Sequence, residues 1–249
     1  MKKVCHISGT TLPGGGPEHI YQLIRRFNRN QWDVIVCTTK DGYYWEKFNS
    51  LNIRAYNLIL RQLSLITPFR LLSILWREKP DLIHTHGKGP GLYGRIIGRI
   101  LKIPVVHTFH GFHYEDLPRI TRSIHLAADF FLTLITAQHI FVSRGEKNRA
   151  RAIKLLDEDN STIICNGVDL DYIRNISVRR KTVLETAQCE DWEDKKILGT
   201  ISRLSPEKGI LNLLSAFAIA VQKIPDLRLI IVGGYPEEHE DYYFKTKEL

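Results

Sequence analysis

"DLIHTHGKGPGLYGRIIGRILKIPVVHTFHG", residues 81–111, reads as one structural unit. "DLIHTH" (81–86) is a short β-rich run, "GPGLYGRIIGRILK" (89–102) carries apolar side chains at helical spacing, and "PVVHTFHG" (104–111) is β-rich again. Strand, helix and strand within so short a stretch predict a βαβ unit, whose crossover helix makes the two strands parallel.

The same alternation extends both ways. Towards the N-terminus, "KVCHIS" (3–8), "DVIVCTT" (33–39) and "NIRAYNL" (52–58) read as strands. Between them lies a helix from Pro17 to about Asn28, with Ile20, Leu23, Ile24 and Phe27 on one face. "TPFRLLSILWREKP" (67–80) reads as a helix capped by Thr67. Beyond the central unit, a helix within 119–137 precedes the strand "HIFVS" (139–143), a helix over 144–156 and "STIICNGVD" (161–169). Residues 174–196 are polar and linker-like. The pattern then restarts with "KILGTIS" (196–202), a helix from Pro206 to about Ile224, and the strand "LRLIIVGG" (227–234). The fold class is therefore α/β, a doubly wound parallel sheet followed by the opening of a second.

Composition narrows the function classes. The chain has a net charge of +8, but residues 1–110 hold 16 Lys/Arg against 6 Asp/Glu, a surplus larger than that of the whole chain. An anionic partner is expected for that half, either phosphate groups or an anionic membrane surface. No basic motif with interleaved aromatics supports nucleic acid. The longest apolar run, residues 126–143, is interrupted by Asp129, Gln138 and His139, which argues against a membrane span. The N-terminus lacks a signal-peptide core, so a cytoplasmic location is expected. The four cysteines stand singly, which predicts neither disulfides nor a zinc knuckle; Cys5 and Cys37 read as core.

Ligands of open α/β sheets bind beyond the carboxyl ends of the strands. After the first strand, "GTTLPGGGPEHI" (9–20) offers Gly14, Gly15 and Gly16 ahead of a helix N-terminus, where a backbone can approach an anion closely. The loop lacks the Lys-Ser/Thr of a P-loop, and His19 stands where a dinucleotide fingerprint needs glycine. That failure counts against a nicotinamide oxidoreductase, although Asp41 lies near the expected acidic position. His84, His86, His107, His110 and His113 cluster after two neighbouring strands. His110, followed by Gly111, is the strongest candidate to touch a sugar or phosphate, whereas His84 and His107 read as core. No carboxylate accompanies them at metalloenzyme spacing, so no metal is expected. Arg203 and Lys208 bracket "SPE" at a third strand end; a fork and a point charge together suit a diphosphate.

These segments resemble a known family. "GGGPEHI", "DLIHTHGKGPGLYGRIIGR", "VVHTFHGFHY", "IFVS", "NGVD", "ISRLSPEKG" and "LIIVGG" occur in the order seen in retaining, nucleotide-sugar-dependent GT-B glycosyltransferases of family 4, also called glycosyl transferases group 1. They particularly resemble members that build bacterial capsule, exopolysaccharide or O-antigen repeat units. The resemblance implies a complete N-terminal Rossmann-like domain on the acceptor side (1–173), a linker (174–195) and a partial donor-binding Rossmann-like domain (196–249). It implies that Gly15 and Gly16 lie beside the donor diphosphate, which Arg203 and Lys208 hold while stabilising the leaving group. His110 would contact the transferring sugar or the acceptor, and His86, Lys88 and His113 are acceptor-side candidates.

The implied substrates are a nucleoside-diphosphate sugar, UDP being the commonest in the family, and a lipid-linked or glycan acceptor, with no cofactor and no metal. The implied location is cytoplasmic and peripheral at the inner face of the cell membrane. Two departures are mild: Cys165 stands for a frequent proline and Ser202 for a frequent glycine. The third concerns a pair of glutamates, seven residues apart, that relatives carry further along the donor domain. Only 54 residues follow the linker, against about 150 in a full Rossmann half. The expectation is a truncated transferase whose remainder is lost or supplied by a separate chain. The alternative is a non-catalytic acceptor-binding or scaffold subunit of a split enzyme.

Overall fold

The computed structural model describes residues 1–62, 64–112, 114, 117–155, 158–235 and 239–248. The chain forms two compact units, residues 1–170 and 171–249.

The first unit runs β1 (Lys2–Ser8), α1 (Gly15–Arg25), β2 (Trp32–Thr38), α2 (Tyr43–Asn49), β3 (Arg54–Asn57), α3 (Ile66–Glu78), β4 (Leu82–His86), α4 (Lys88–Leu101), β5 (Val105–Thr108), α5 (Arg119–Leu134), β6 (Gln138–Phe141), α6 (Arg144–Ala152) and β7 (Ser161–Ile163). The seven strands are ordered β3-β2-β1-β4-β5-β6-β7, all parallel. Winding goes one way from β1 to β3 and the other way from β4 to β7. The reversal lies between β1 and β4, where such sheets bind ligands.

Side-chain alternation explains both faces. Val4 of β1 packs with Val34 and Val36 against Ile20 and Ile24 of α1 and Phe48 of α2. Cys5 and Ile7 point the other way, joining Ile35, Cys37 and Ile83 beneath Leu71, Leu75, Tyr93 and Ile97 of α3 and α4. Cys5 and Cys37 are free, buried thiols, 3.8 Å apart. Helix α4 sits unusually close to the sheet through a glycine stripe. A Cβ at Gly91 would lie 2.6 Å from His107, and one at Gly94 2.3 Å from Thr85.

Local starts differ from the sequence reading. Helix α1 opens at Gly15, so Gly15 and Gly16 form its first turn instead of a preceding loop. Thr67 does not cap α3. Its hydroxyl bonds the Ile59 carbonyl, while Ser64 Oγ accepts from the Ile66 and Thr67 amides. The short α2, which the sequence reading missed, is held by Tyr44 and Phe48, four residues apart and buried.

The second unit contains α7 (Leu170–Asn175, beginning at the boundary), α8 (Arg180–Thr186), β8 (Lys196–Ile201), α9 (Ile210–Lys223), β9 (Leu227–Val232) and α10 (Glu240–Lys247). Strands β8 and β9 pair in parallel. The stretch expected as a linker folds largely as helix and turn and buries Leu184. Beneath α8, a groove of about 620 Å³ is lined by Val178, Val183, Trp192, Leu229 and Ile231.

Candidate functional site

The register of β1 and β4 assembles the first part of the site. His6 lies opposite His84, and Ser8 opposite His86, on the face covered by α1. His6 Nδ1 and His86 Nε2 are 3.2 Å apart, and His86 Nδ1 lies 3.2 Å from His110 Nε2. His19 of α1 completes the cluster, its ring 5.1 Å from that of His110. His84 is hydrogen-bonded to Thr108 and buried. His107 faces the opposite side of the sheet, buried under α4 and bonded to Thr85 Oγ1 at 2.8 Å. The histidines that look like one group in sequence thus belong to two faces. His113 lies outside the described residues.

Burial sets the electrostatics of this cluster. Desolvation lowers His6 from 6.5 to about 3, and lowers His110 to about 4; it also holds His84 and His86 well below the ordinary range. These rings are neutral at neutral pH. The sequence reading missed His6 and assigned no role to His19. The signal for His6 was its place inside the first strand, beside the histidine-rich one. Among the described residues, two trios, His6–His84–His86 and His19–His86–His110, bring ring nitrogens within 4.8 Å of one another, a juxtaposition that sequence spacing did not reveal.

The glycine turn stands next to these rings. Nothing lies within 4 Å of a Cβ built on Gly15 or Gly16, so the start of α1 is open to a ligand. Asp41 stiffens the preceding loop by accepting from Thr10 Oγ1 at 2.7 Å, Thr11 N at 2.6 Å and Thr11 Oγ1 at 2.8 Å. Its carboxylate is consumed by the loop, not offered to a ribose. Asp169 forms an ion pair with Arg25 at 2.7 Å, so the end of the "NGVD" segment is tied to α1.

The segment after β5 is held from below. His110 has φ +59° and Gly111 φ +105°, so the chain turns sharply there. Such a conformation costs a non-glycine residue energy unless its surroundings enforce it. Glu146 of α6 enforces it, accepting from the amides of Gly111 and of Val142, the latter at 2.8 Å. Further along, Tyr114 donates to Asp129, which also pairs with the buried Arg95 at 3.0 Å. Lys88 Nζ stands 3.6 Å above the Tyr114 ring, and burial lowers its pKa. Arg95 therefore belongs to the interior. The glycine-lined side of α4 leaves room for a long side chain to reach Asp129.

In the second unit, Arg203 follows β8 and is exposed, with Glu207 3.4 Å away. Lys208 is exposed too, but it ends a 3-10 turn, Pro206–Lys208, and does not enter α9. Gly209, at φ +66°, separates that turn from α9, which starts at Ile210. The cation therefore stands ahead of the helix N-terminus. Gly233 packs on this corner so closely that a Cβ would lie 1.9 Å from the Ser202 carbonyl oxygen.

This architecture matches solved structures. A crystal structure of Anabaena Alr3699/HepE in complex with UDP and glucose aligns with a TM-score of 0.79 at 19% identity, covering 100% of this chain and 65% of that one. The fold is that of the GT-B glycosyltransferases. The profile of Glycosyltransferase Family 4 matches residues 13–172, and that of Glycosyl transferases group 1 matches residues 185–248. The chain belongs to glycosyltransferase family 4. An Escherichia coli relative, UDP-Gal:alpha-D-GlcNAc-diphosphoundecaprenol alpha-1,3-galactosyltransferase, is 26% identical over 246 residues, 93% of this chain and 62% of the relative. The Staphylococcus aureus capsular polysaccharide biosynthesis glycosyltransferase CapM is 21% identical over 187 residues, 72% of this chain and 48% of its own. The chain thus spans less than two thirds of the length of these relatives.

Proposed function

We propose that the whole protein transfers a sugar from a nucleoside-diphosphate sugar, UDP being the expected nucleotide, to a lipid-linked or polysaccharide acceptor in cell-surface polysaccharide synthesis, with retention at the anomeric carbon. The observation that carries the reading is the open first turn of α1 at Gly15 and Gly16, set beside His110 through the His19 contact at 5.1 Å. Free amides at a helix start attract the donor's diphosphate, and a neutral imidazole beside them suits a sugar hydroxyl. Following the family resemblance, Arg203 and Lys208 of the second unit are assigned to the departing diphosphate, in a reaction proposed to use neither metal nor cofactor. Lys88 serves the acceptor side, whereas His86, buried with both ring nitrogens engaged by His6 and His110, stands behind that surface. The names of the E. coli and S. aureus relatives and the UDP held by the Anabaena protein support this choice of substrates.

Membrane contact forms part of the same reading. Among the described residues, no helix is long and apolar enough to cross a bilayer. Helices α3, α4 and α5 pack in sequence, and on their outer surfaces Phe69, Trp76, Ile100, Ile120 and Phe131 are between 64% and 78% exposed. Arg70, Arg77, Arg99 and Arg119 are exposed among them. Basic and aromatic side chains together suit a peripheral site at an anionic cytoplasmic leaflet.

The test combines two measurements. The chain is titrated with UDP and UDP-sugars, then assayed with lipid-linked acceptors in the presence and absence of a chelator. Chelator-insensitive transfer with anomeric retention is the expected result for an enzyme with a complete donor side. UDP binding that stays absent in the whole protein would favour a non-catalytic acceptor-binding subunit.

A further inference from the structure

The two close contacts in the histidine cluster form a continuous row, His6 Nδ1 to His86 Nε2 and His86 Nδ1 to His110 Nε2, each 3.2 Å. Each contact needs one proton between its two nitrogens. Two facing lone pairs repel, and two facing N–H groups collide. Three neutral rings carry three protons, so two occupy the contacts and one remains for an end of the row. Only two arrangements satisfy this count. Either the third proton sits on His6 Nε2 at the inner end, or it sits on His110 Nδ1 at the outer end.

The ends are unequal. His6 is fully buried, and its Nε2 has no hydrogen-bond partner among the described residues. A proton there would be a donor with no acceptor, and orphaned buried N–H groups are rarer than orphaned lone pairs. His110 is only partly buried, so its Nδ1 can meet water or a ligand. We infer that His6 and His86 are positioning residues that hold His110 in the tautomer with its proton on Nδ1. The row then runs in one direction: His6 Nδ1–H donates to His86 Nε2, and His86 Nδ1–H donates to His110 Nε2. His110 faces the site as a hydrogen-bond donor of fixed orientation, suited to an oxygen lone pair of the sugar or its acceptor. The assignment of that oxygen rests on the transferase reading; the direction of the row does not.

The experiment reads the tautomer without substrate. The whole chain, carrying isotopically labelled histidine, is examined by long-range proton–nitrogen NMR at neutral pH, and His110 is identified from the spectrum of His110→Gln. A single His110 form protonated at Nδ1 is expected. In His86→Phe that form should give way to a mixture containing Nε2–H, and His6→Phe should do the same by a longer route. A wild-type His110 protonated at Nε2 overturns the inference without any variant having to fold. So does an unchanged His110 tautomer in a folded His86→Phe. Zinc is the third discriminating probe. Tetrahedral Zn²⁺ with bonds of about 2.0–2.1 Å would hold neighbouring nitrogens at a similar separation. If the protein as purified contains zinc bound through His86 and His110, the contact is a metal edge and the proton row is wrong.

Discussion

Replacing Asp129 by alanine tests how the segment carrying His110 is supported. Arg95 is completely buried, and its Nη2 lies 3.0 Å from Asp129 Oδ1, itself almost buried. Arg95 Nε reaches the Gly91 carbonyl at 2.8 Å, while Nη1 has no partner among the described residues. Removing the carboxylate leaves a guanidinium in the interior with its charge uncompensated, and deprives the Tyr114 hydroxyl of its acceptor. Breaking a buried pair in this way costs about 3–5 kcal/mol. At roughly 2–4 °C per kcal/mol for a unit of this size, Tm should fall by about 6–20 °C. Urea unfolding followed by tryptophan fluorescence in a Trp192→Phe background reads only the first unit, which holds Trp32, Trp45 and Trp76. The double variant Arg95→Met/Asp129→Leu should recover most of the loss, because apolar groups of similar volume need no counter-charge. A loss below about 1 kcal/mol for Asp129→Ala, the range of an exposed pair, would refute the reasoning. So would a double variant no more stable than the single.

Other outcomes follow from the same geometry. His6 and His110 have folded-state values of about 3 and about 4 against an ordinary 6.5. The unfolded chain therefore binds protons first as pH falls. Stability is fully present above pH ~6.5 and drops below it, by about 2 kcal/mol per histidine near pH 5. Denaturation at pH ~7.5 and ~5 checks this, and equal stabilities would contradict neutral burial. Glu146→Ala leaves the Gly111 and Val142 amides without acceptors and should destabilise the first unit by about 2–4 kcal/mol; faster hydrogen exchange at these two amides is the specific readout. In a donor-complete enzyme, Lys208→Ala should slow transfer by about 10²-fold or more, and a near-normal rate would remove Lys208 from the leaving-group site. His110→Ala should impair transfer while sparing UDP affinity, as measured by calorimetry; lost affinity would place His110 on the donor nucleotide instead.

Much of the fold was legible because parallel strands buried on both faces are short apolar runs, and crossover helices have their own period. "DLIHTH" and "VVHTFHG" announced β4 and β5 for that reason. The helix ends were less legible. Ser64, not Thr67, accepts from the first amides of α3, and Gly209 split the turn holding Lys208 from α9, because helix ends depend on backbone angles that composition only biases. The same limit explains the missed α2, whose seven residues are too short for a period to show.

Alternation of hydrophobic runs by itself determined an α/β chain, and motif order indicated the family, since both depend on local spacing. Which histidines meet was decided only by tertiary structure. Register sets His6 beside His84 and turns His107 to the other face, and α1 brings His19 over His110. The fate of the charges was likewise tertiary: Arg95 and Asp129 became an interior pair, and Asp41 became a loop tie. Contacts between residues far apart in sequence depend on how sheets register and helices pack, and no window of neighbouring residues contains that information.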